Sequence, residues 1–142
     1  MLNDRKIKTA EALLRVYQNE IDYLNGNYSG FEAGEQYVNP QHPYTFDMDV
    51  FGAGSLFQRM NRTISTGGSD QLAVCLSTEW GHAKREELVG QIRMRMAAID
   101  ELGQDETFLS AFKSLGVKER INTAEVLKAL TAIHQQTFPT IF

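Results

Sequence analysis

The sequence predicts a mainly α-helical domain with two long helices, two medium helices and a corner of short helices. Apolar residues recur at spacings of three and four over long stretches, which is the pattern of helices with one apolar face. Glycine and asparagine follow these stretches, where helices are expected to end. The best strand-like alternation, in residues 44–51, is partial. With 142 residues the chain is long enough for one core, so we predict a single helical domain over residues 1–142.

The composition is that of a folded protein without a marked charge bias. The net charge is −4, with 42% hydrophobic and 23% charged residues, so the chain lacks the basic excess of a free-standing nucleic-acid module. A single cysteine, Cys75, excludes an internal disulfide framework and fits a reducing compartment, from which we predict a cytoplasmic location. No apolar run approaches the ~18 residues of a membrane span, and the first residues lack the apolar core of a secretory signal.

Residues 3–25 are predicted to form the first long helix, which Asn25-Gly26-Asn27 ends. Its apolar residues form a seam of alternating three- and four-residue spacings: Ile7, Ala10, Leu14, Tyr17, Ile21 and Leu24. Such a seam packs within a domain or pairs with a second chain. Packing within the domain is the commoner use and is the expectation here. The alternative is a helical protein–protein interaction module, or a homodimer, that pairs through this helix.

A long irregular connection, rich in glycine and proline, is predicted near residues 26–46. A turn at Gly52 and Gly54 then leads into a corner of two short helices. The first of these helices carries Leu56, Phe57 and Met60, and the second carries Leu72, Cys75 and Leu76. We expect Leu56 and Phe57 to be buried where the two long helices meet. Asp70 is expected in the first turn of the second short helix, where its charge suits the helix dipole.

The second long helix is predicted over residues 82–102, after a short turn at residues 78–81. Its apolar stripe consists of Leu88, Ile92, Met96, Ile99 and Leu102. Gly90 inside it suggests close packing, because glycine otherwise weakens a helix. Two medium helices follow, with predicted caps at Asp105 and at Asn122 with Glu125. Their apolar stripes are Phe108, Phe112 and Leu115 on the first, and Val126, Leu127, Leu130, Ile133 and His134 on the second.

No stretch of the sequence has the residues of a reaction centre. A nucleotide-phosphate loop needs a Gly-Lys pair, which the sequence lacks, and Gly52 and Gly54 are too close together for a dinucleotide fingerprint. Asp47 and Asp49 offer carboxylates to Mg²⁺, but no third acidic residue has a suitable spacing, so turn capping is the preferred interpretation. The histidines have no metal-ligand register, and Cys75 is interpreted as a core residue. We therefore predict no enzymatic activity, cofactor site or metal site in these 142 residues.

Basic residues cluster in the middle third of the chain. They are Arg59, Arg62, Lys84, Arg85, Arg93 and Arg95. A solvated helix face balanced by neighbouring glutamates is the preferred interpretation, because binding of nucleic acid needs a concentrated positive field. Weak contacts with DNA phosphates are the alternative, and the residues that would make them are Arg59, Arg62, Lys84, Arg85 and Arg93.

The string DMDVFGAGSLFQRMNRTISTGGSDQLAVCL, which begins at Asp47, resembles the opening of the core domain of MutS-like DNA mismatch-repair ATPases. The positions that match this motif are Ser55, Leu56, Phe57, Asn61, Thr63, Gly68 and Leu72. The next motif of the family, a helix, is matched by Ile92, Arg95, Ala98, Ile99, Glu101 and Leu102. His42-Pro43-Tyr44 is similar to the short, divergent branch of the family. The departures from the family pattern are Met60, Ser65, Met96 and the segment Thr78-Glu79-Trp80.

The resemblance implies a helical scaffold that links DNA-contacting parts to an ATPase domain and relays the nucleotide state between them. The matching residues are then structural, because the segment contains neither the mismatch-reading wedge nor the ATPase motifs of the family. For the longer protein it implies duplex DNA as partner, and ATP with Mg²⁺ as cofactors. The apolar residues at the end of the sequence, Phe138, Ile141 and Phe142, add the expectation that the natural chain continues into a phosphate-loop ATPase domain.

Overall fold

The computed structural model describes residues 2–78 and 85–135. Helices dominate this part of the chain, which confirms the predicted mainly α-helical fold. Their ranges are α1 Leu2–Leu24, α2 Leu56–Met60, α3 Thr66–Ser77, α4 Arg85–Gly103, α5 Glu106–Gly116 and α6 Thr123–Gln135. A short 3₁₀ helix, Glu35–Tyr37, lies within the long connection between α1 and α2. Several predictions fall outside the described residues: the turn after residue 78, the helical start at 82–84 with Lys84, the side chain of His134, and the apolar residues Phe138, Ile141 and Phe142.

The long helix α1 packs mainly against α5. Ala12 and Val16 are buried on α1 and Glu20 is half-buried, and their spacing of four places them on one face. The Glu20 carboxylate fixes the contact through an ion pair with Lys113 of α5, in which Oε1 and Nζ are 2.7 Å apart.

The predicted apolar seam of α1 does not make this contact. Leu14 is 71% exposed and Leu24 is 81% exposed, and the other seam residues are also exposed. The expectation that the seam packs within the domain is therefore wrong for the described residues. The face of α1 that packs against α5 carries small and charged side chains. A periodicity argument counts only large apolar side chains and therefore does not identify this face.

The buried core lies at the corner, between the long connection, α2 and α3. Val50, Phe51, Phe57 and Ala73 form it, and Tyr37, Tyr44, Leu72 and Leu76 pack against it. The Phe57 side chain is fully buried, and its ring centroid lies 5.4 Å from that of Tyr37 and 5.5 Å from that of Phe51. The prediction that Phe57 is buried is confirmed, but its partners are not the two long helices. The prediction for Leu56 is wrong, since that side chain is 48% exposed.

Three glycines let the connection wrap closely around this core. Gly34, Gly52 and Gly54 have φ values of 70°, 103° and 77°, which favour glycine strongly over other residues. Gly34 also faces Phe57: a Cβ atom added there would lie 2.6 Å from Phe57 Cδ1. The predicted turn at Gly52 and Gly54 is thus confirmed, and the connection brings its backbone against the aromatic core where a side chain would not fit.

Residues 44–51 form turns and make no strand. Their backbone hydrogen bonds are local, for example from Val50 N to Thr45 O at 3.0 Å. Within the described residues the β-type pairing is an isolated parallel bridge between Ser65 and Ile121. Burial does not alternate along this stretch: residues 46–49 are exposed, and Val50 and Phe51 are both buried.

Helices α4, α5 and α6 expose the apolar stripes that the sequence predicts. Leu88 is half-buried, but the rest of the α4 stripe and the stripes of α5 and α6 are exposed, among the side chains described. The close packing predicted at Gly90 is wrong, because a Cβ added there would meet no atom within 4 Å.

The prediction that Asp70 lies in the first turn of its helix is also wrong. Asp70 lies beyond the first turn of α3, where its Oδ1 accepts a 2.6 Å hydrogen bond from the Tyr37 hydroxyl.

Candidate functional site

The corner begins with two helix caps made by serine hydroxyls. Ser55 caps α2 by accepting a hydrogen bond from the Gln58 backbone N–H at 3.1 Å, and Ser65 caps α3 by accepting one from Gly68 at 3.1 Å. The Gln58 side chain reaches back and accepts from the Gly54 N–H at 2.7 Å. These bonds satisfy backbone donors that would otherwise lack partners at the two helix starts. They fix the angle at which α2 and α3 leave the turn.

Asn61 and Thr63 hold the short link between α2 and α3. The buried Asn61 side chain accepts hydrogen bonds at Oδ1 from the Thr63 N–H (3.1 Å) and the Thr63 hydroxyl (2.7 Å). Thr63 Oγ1 is also 2.9 Å from the hydroxyl of Ser69, which is buried on α3. Hydrogen bonds between side chains of the link, and one to Ser69 of α3, therefore hold the link in place.

Arg120 inserts its guanidinium into this hydroxyl cluster. Its Nη2 donates to Thr63 Oγ1 at 3.0 Å, to the Ser65 carbonyl at 3.1 Å and to the Ser69 hydroxyl. Its Nη1 forms an ion pair with Glu32 of the long connection. One arginine thereby joins the segment between α5 and α6 to the corner and to the connection. Burial lowers the pKa of Arg120.

The starts of α3 and α6 are joined directly beside Arg120. Thr123 Oγ1 accepts from the Gly67 N–H at 2.9 Å, and Thr66 Oγ1 accepts from the Thr123 N–H at 3.1 Å. Backbone bonds from Thr66 N to Ile121 O and from Ile121 N to Ile64 O, both 3.0 Å, complete the contact. Each helix start supplies an acceptor for a free N–H of the other, so the two helices are held at their N-terminal ends.

A second network connects the corner to α1 and α5. Glu20 on α1 lies between two cations, with Oε2 2.9 Å from Arg62 Nη1 and Oε1 2.7 Å from Lys113 Nζ. The Arg62 contact lacks hydrogen-bond alignment, since Nη1 has no hydrogen-bond partner, so charge attraction holds it. The Arg62 guanidinium also lies 3.7 Å from the ring centroid of Tyr23 and 4.9 Å from that of Phe31, within cation–π range.

The two networks face a pocket of about 230 Å³ between α1, α5, the connection and the corner. Its charged lining residues are Glu20, Glu32, Arg62, Lys113, Lys118 and Arg120. Lys118 pairs with the exposed Glu11 of α1, whose carboxylate lies outside the pocket lining, at 2.6 Å. The lining offers structural ion pairs and a cationic surface.

Loss of the Glu20 charge is expected to weaken the fold in acid. Burial favours the neutral acid, but the hydrogen bond from Lys113 and the charges of Lys113 and Arg62 outweigh it and hold the pKa of Glu20 below its ordinary value of 4.5. A carboxylate with a lowered folded-state pKa stabilises the fold above the unfolded value, and this contribution is lost as the pH falls through the folded-state pKa. Urea unfolding of wild type should therefore lose stability below pH 4.5, and Glu20→Gln should lose less.

Glu101→Gln is the matched control for this experiment, because it removes the same charge from the exposed surface of α4. Its stability should fall with acidification in parallel with that of the wild type. A Glu20→Gln profile that also parallels the wild type would contradict the stabilising role of the network.

The residues of the two motifs lie in different environments in the structure. Ser55, Phe57, Asn61, Thr63 and Gly68 lie together in the corner, as described above. Leu72 is half-buried against the corner core. Leu56 and Glu101 are exposed, and Arg95 on α4 donates from Nη1 to Cys75 Sγ at 3.0 Å. Cys75 is therefore half-buried beside an arginine and does not lie in the core, which corrects its predicted position.

The basic residues proposed for phosphate contacts have different neighbours in the structure. Arg62 is held by Glu20 and by the two aromatic rings, and Arg59 lies 5.6 Å from the ring centroid of Tyr28. Arg85 and Arg93 lie on α4 together with Glu86 along an open depression. Lys84 is outside the described residues.

Sequence reasoning missed Glu20, Glu32, Lys113 and Arg120. Each is a single charged residue with no motif around it, and Lys113 is 93 positions from its partner Glu20. A local pattern therefore gives no signal for these pairs.

The described part of the chain contains no group of three or more histidine, cysteine, aspartate or glutamate side chains suited to a metal ion. Within that part, no helix is both long and apolar enough to cross a membrane.

Comparison of the chain with protein-family models, curated proteins and solved structures gives no significant match. The similarity to MutS-like proteins thus depends on the motif residues alone, and their structural roles become the basis for a functional proposal.

Proposed function

We propose that this chain is a non-catalytic core segment of a MutS-like DNA mismatch-repair ATPase, in which it acts as a scaffold and relay. One observation supports the proposal: several residues of the first motif have complementary structural roles in one corner. Ser55 caps α2, Phe57 fills the core, and Asn61 with Thr63 closes the link to α3. A chance match would not be expected to select the residues that build this corner.

The ion pairs and hydrogen bonds around the corner could pass a helix movement from one part of the domain to another. Arg62 connects it to α1 and, through Glu20, to α5, while Arg120 connects it to the long connection and to the segment that precedes α6. A shift of one helix would break charged contacts unless the corner moved with it, and charged hydrogen bonds cost more to break than neutral ones. The proposed full-length protein is a cytoplasmic ATPase that uses ATP with Mg²⁺ and contacts duplex DNA, and this segment has no ATPase activity of its own.

Two measurements on the isolated segment and one on its gene test this proposal. Duplex DNA binding should be weak and should fall steeply with salt, because phosphate contacts release counterions. ATP should leave the melting temperature unchanged, because a ligand that binds the native state raises it. The coding sequence beyond Phe142 should encode Gly-x-x-x-x-Gly-Lys-Ser/Thr. Tight sequence-specific binding at high salt, an ATP-dependent melting shift, or a stop codon directly after Phe142 would overturn the proposal.

The second candidate function is a helical interaction module that pairs through α1. The exposure of the α1 seam favours it, since a three-heptad apolar seam facing solvent is suited to a partner helix. Under this candidate the chain dimerises or binds another protein, and lysine at both Leu14 and Ile21 abolishes the association. Lysine at Leu127 and Leu130, equally exposed on α6, provides the matched control.

A further inference from the structure

The pocket between α1, α5 and the corner has more cations than carboxylates in its lining. Arg62, Lys113, Lys118 and Arg120 contribute positive charge, whereas Glu20 and Glu32 contribute negative charge. Both oxygens of Glu20 face cations, and Glu32 is paired with Arg120. Lys118 is paired in turn with Glu11, so the four cations exceed the three carboxylates by one positive charge.

The donors available to a ligand are on the two lysines. Lys113 is half-buried and uses one N–H for Glu20, which leaves two further donors on its ammonium group. Lys118 is held only by its pair with Glu11, and both of these side chains are largely exposed. Exposed pairs of this kind contribute about 0–1 kcal/mol, so an anion can replace Glu11 as the partner of Lys118.

The size of the pocket limits what it can hold. Its volume of about 230 Å³ is below the roughly 300–1,000 Å³ of pockets for drug-sized ligands. A single compact anionic group matches both this volume and the lysine donors. Phosphate, with several oxygens that accept charged hydrogen bonds, satisfies more of these donors than chloride does.

We propose that this pocket binds one phosphate group through Lys113 and Lys118. The group comes from a nucleic-acid backbone or from a free phosphate compound. The inference does not need the MutS-like assignment, but a DNA source would name a contact site for the proposed function.

The test is calorimetric titration of the whole chain with inorganic phosphate, against chloride at matched ionic strength. Wild type should bind phosphate saturably, and Lys118→Gln should weaken binding roughly ten- to a hundredfold, as expected for loss of one charged hydrogen bond. Glu11→Gln should tighten binding, because it frees Lys118 and lies outside the pocket lining. Lys128→Gln on α6, which removes an equal charge away from the pocket, should leave binding unchanged.

Lys118 and Glu11 are exposed, so both variants should fold, and circular dichroism checks this. Absence of saturable binding beyond chloride, or equal weakening by Lys118→Gln and Lys128→Gln, would overturn the inference. A parallel titration with duplex DNA separates the sources. Loss of DNA binding in Lys118→Gln identifies the nucleic-acid backbone, whereas unchanged DNA binding with weakened phosphate binding identifies a free phosphate compound.

Discussion

Replacement of Phe57 by alanine is expected to lower the free energy of unfolding by about 3–5 kcal/mol, as for other large aromatic residues removed from a core. The reason is that the Phe57 side chain is fully buried and contacts Tyr37, Phe51 and the backbone at Gly34. Removal of the ring would leave a cavity between these neighbours. Denaturation with urea, followed by circular dichroism, measures the change.

Leu56→Ala is the matched control, because Leu56 is adjacent in the same helix and is 48% exposed. The expected cost is below about 1 kcal/mol, in the range of surface substitutions. Equal costs for the two variants would contradict the placement of the core. A cost below about 1 kcal/mol for Phe57→Ala would show that the corner is peripheral to stability.

The second large effect is expected at Arg120. Arg120→Ala should lower the free energy of unfolding by about 2–3 kcal/mol, because it removes charged hydrogen bonds to Thr63, Ser65 and Ser69 together with the Glu32 ion pair. The hydroxyls of Thr63 and Ser69 can still bond to each other, which limits the loss. Thermal and urea unfolding measure it.

Lys118→Ala provides the comparison for Arg120→Ala, since it breaks an ion pair two residues away that is largely exposed. The expected cost is about 0–1 kcal/mol. If Arg120→Ala cost no more than Lys118→Ala, the hydroxyl cluster around Arg120 would not stabilise the corner. The proposal of a relay would then lose Arg120 as a link between the corner and the long connection.

The helix ends and the turn at the corner could be predicted because their determinants are local. Asp105 caps α5 through a 2.8 Å hydrogen bond from the Phe108 N–H, and Asn122 accepts from the backbone at the start of α6. Gly52 and Gly54 have the positive φ values that their turn requires. Each of these interactions joins residues within a few positions, so sequence spacing is enough to identify it.

The packed faces of the helices could not be predicted in the same way. The seam of α1 satisfies every rule of apolar spacing, yet the buried residues of α1 are Ala12 and Val16, and Glu20 makes the ion pair with α5. The seam position Leu14 is exposed, as is Phe112 of the predicted α5 stripe. Periodicity shows that a helix has an apolar face, but a cover for that face must come from another part of the chain or from another molecule.

The sequence alone determined the helical class, the helix ends and the motif that builds the corner, because these depend on backbone preferences and on side chains close together in the chain. The tertiary structure decided that Phe57 is buried while Leu56 is exposed, and that Arg120 joins a cluster built around Thr63 and Ser69. It also decided that Glu20 meets Lys113, 93 positions away. Such contacts join residues far apart in the sequence and depend on how the whole chain packs. Local spacing in the sequence therefore cannot predict them.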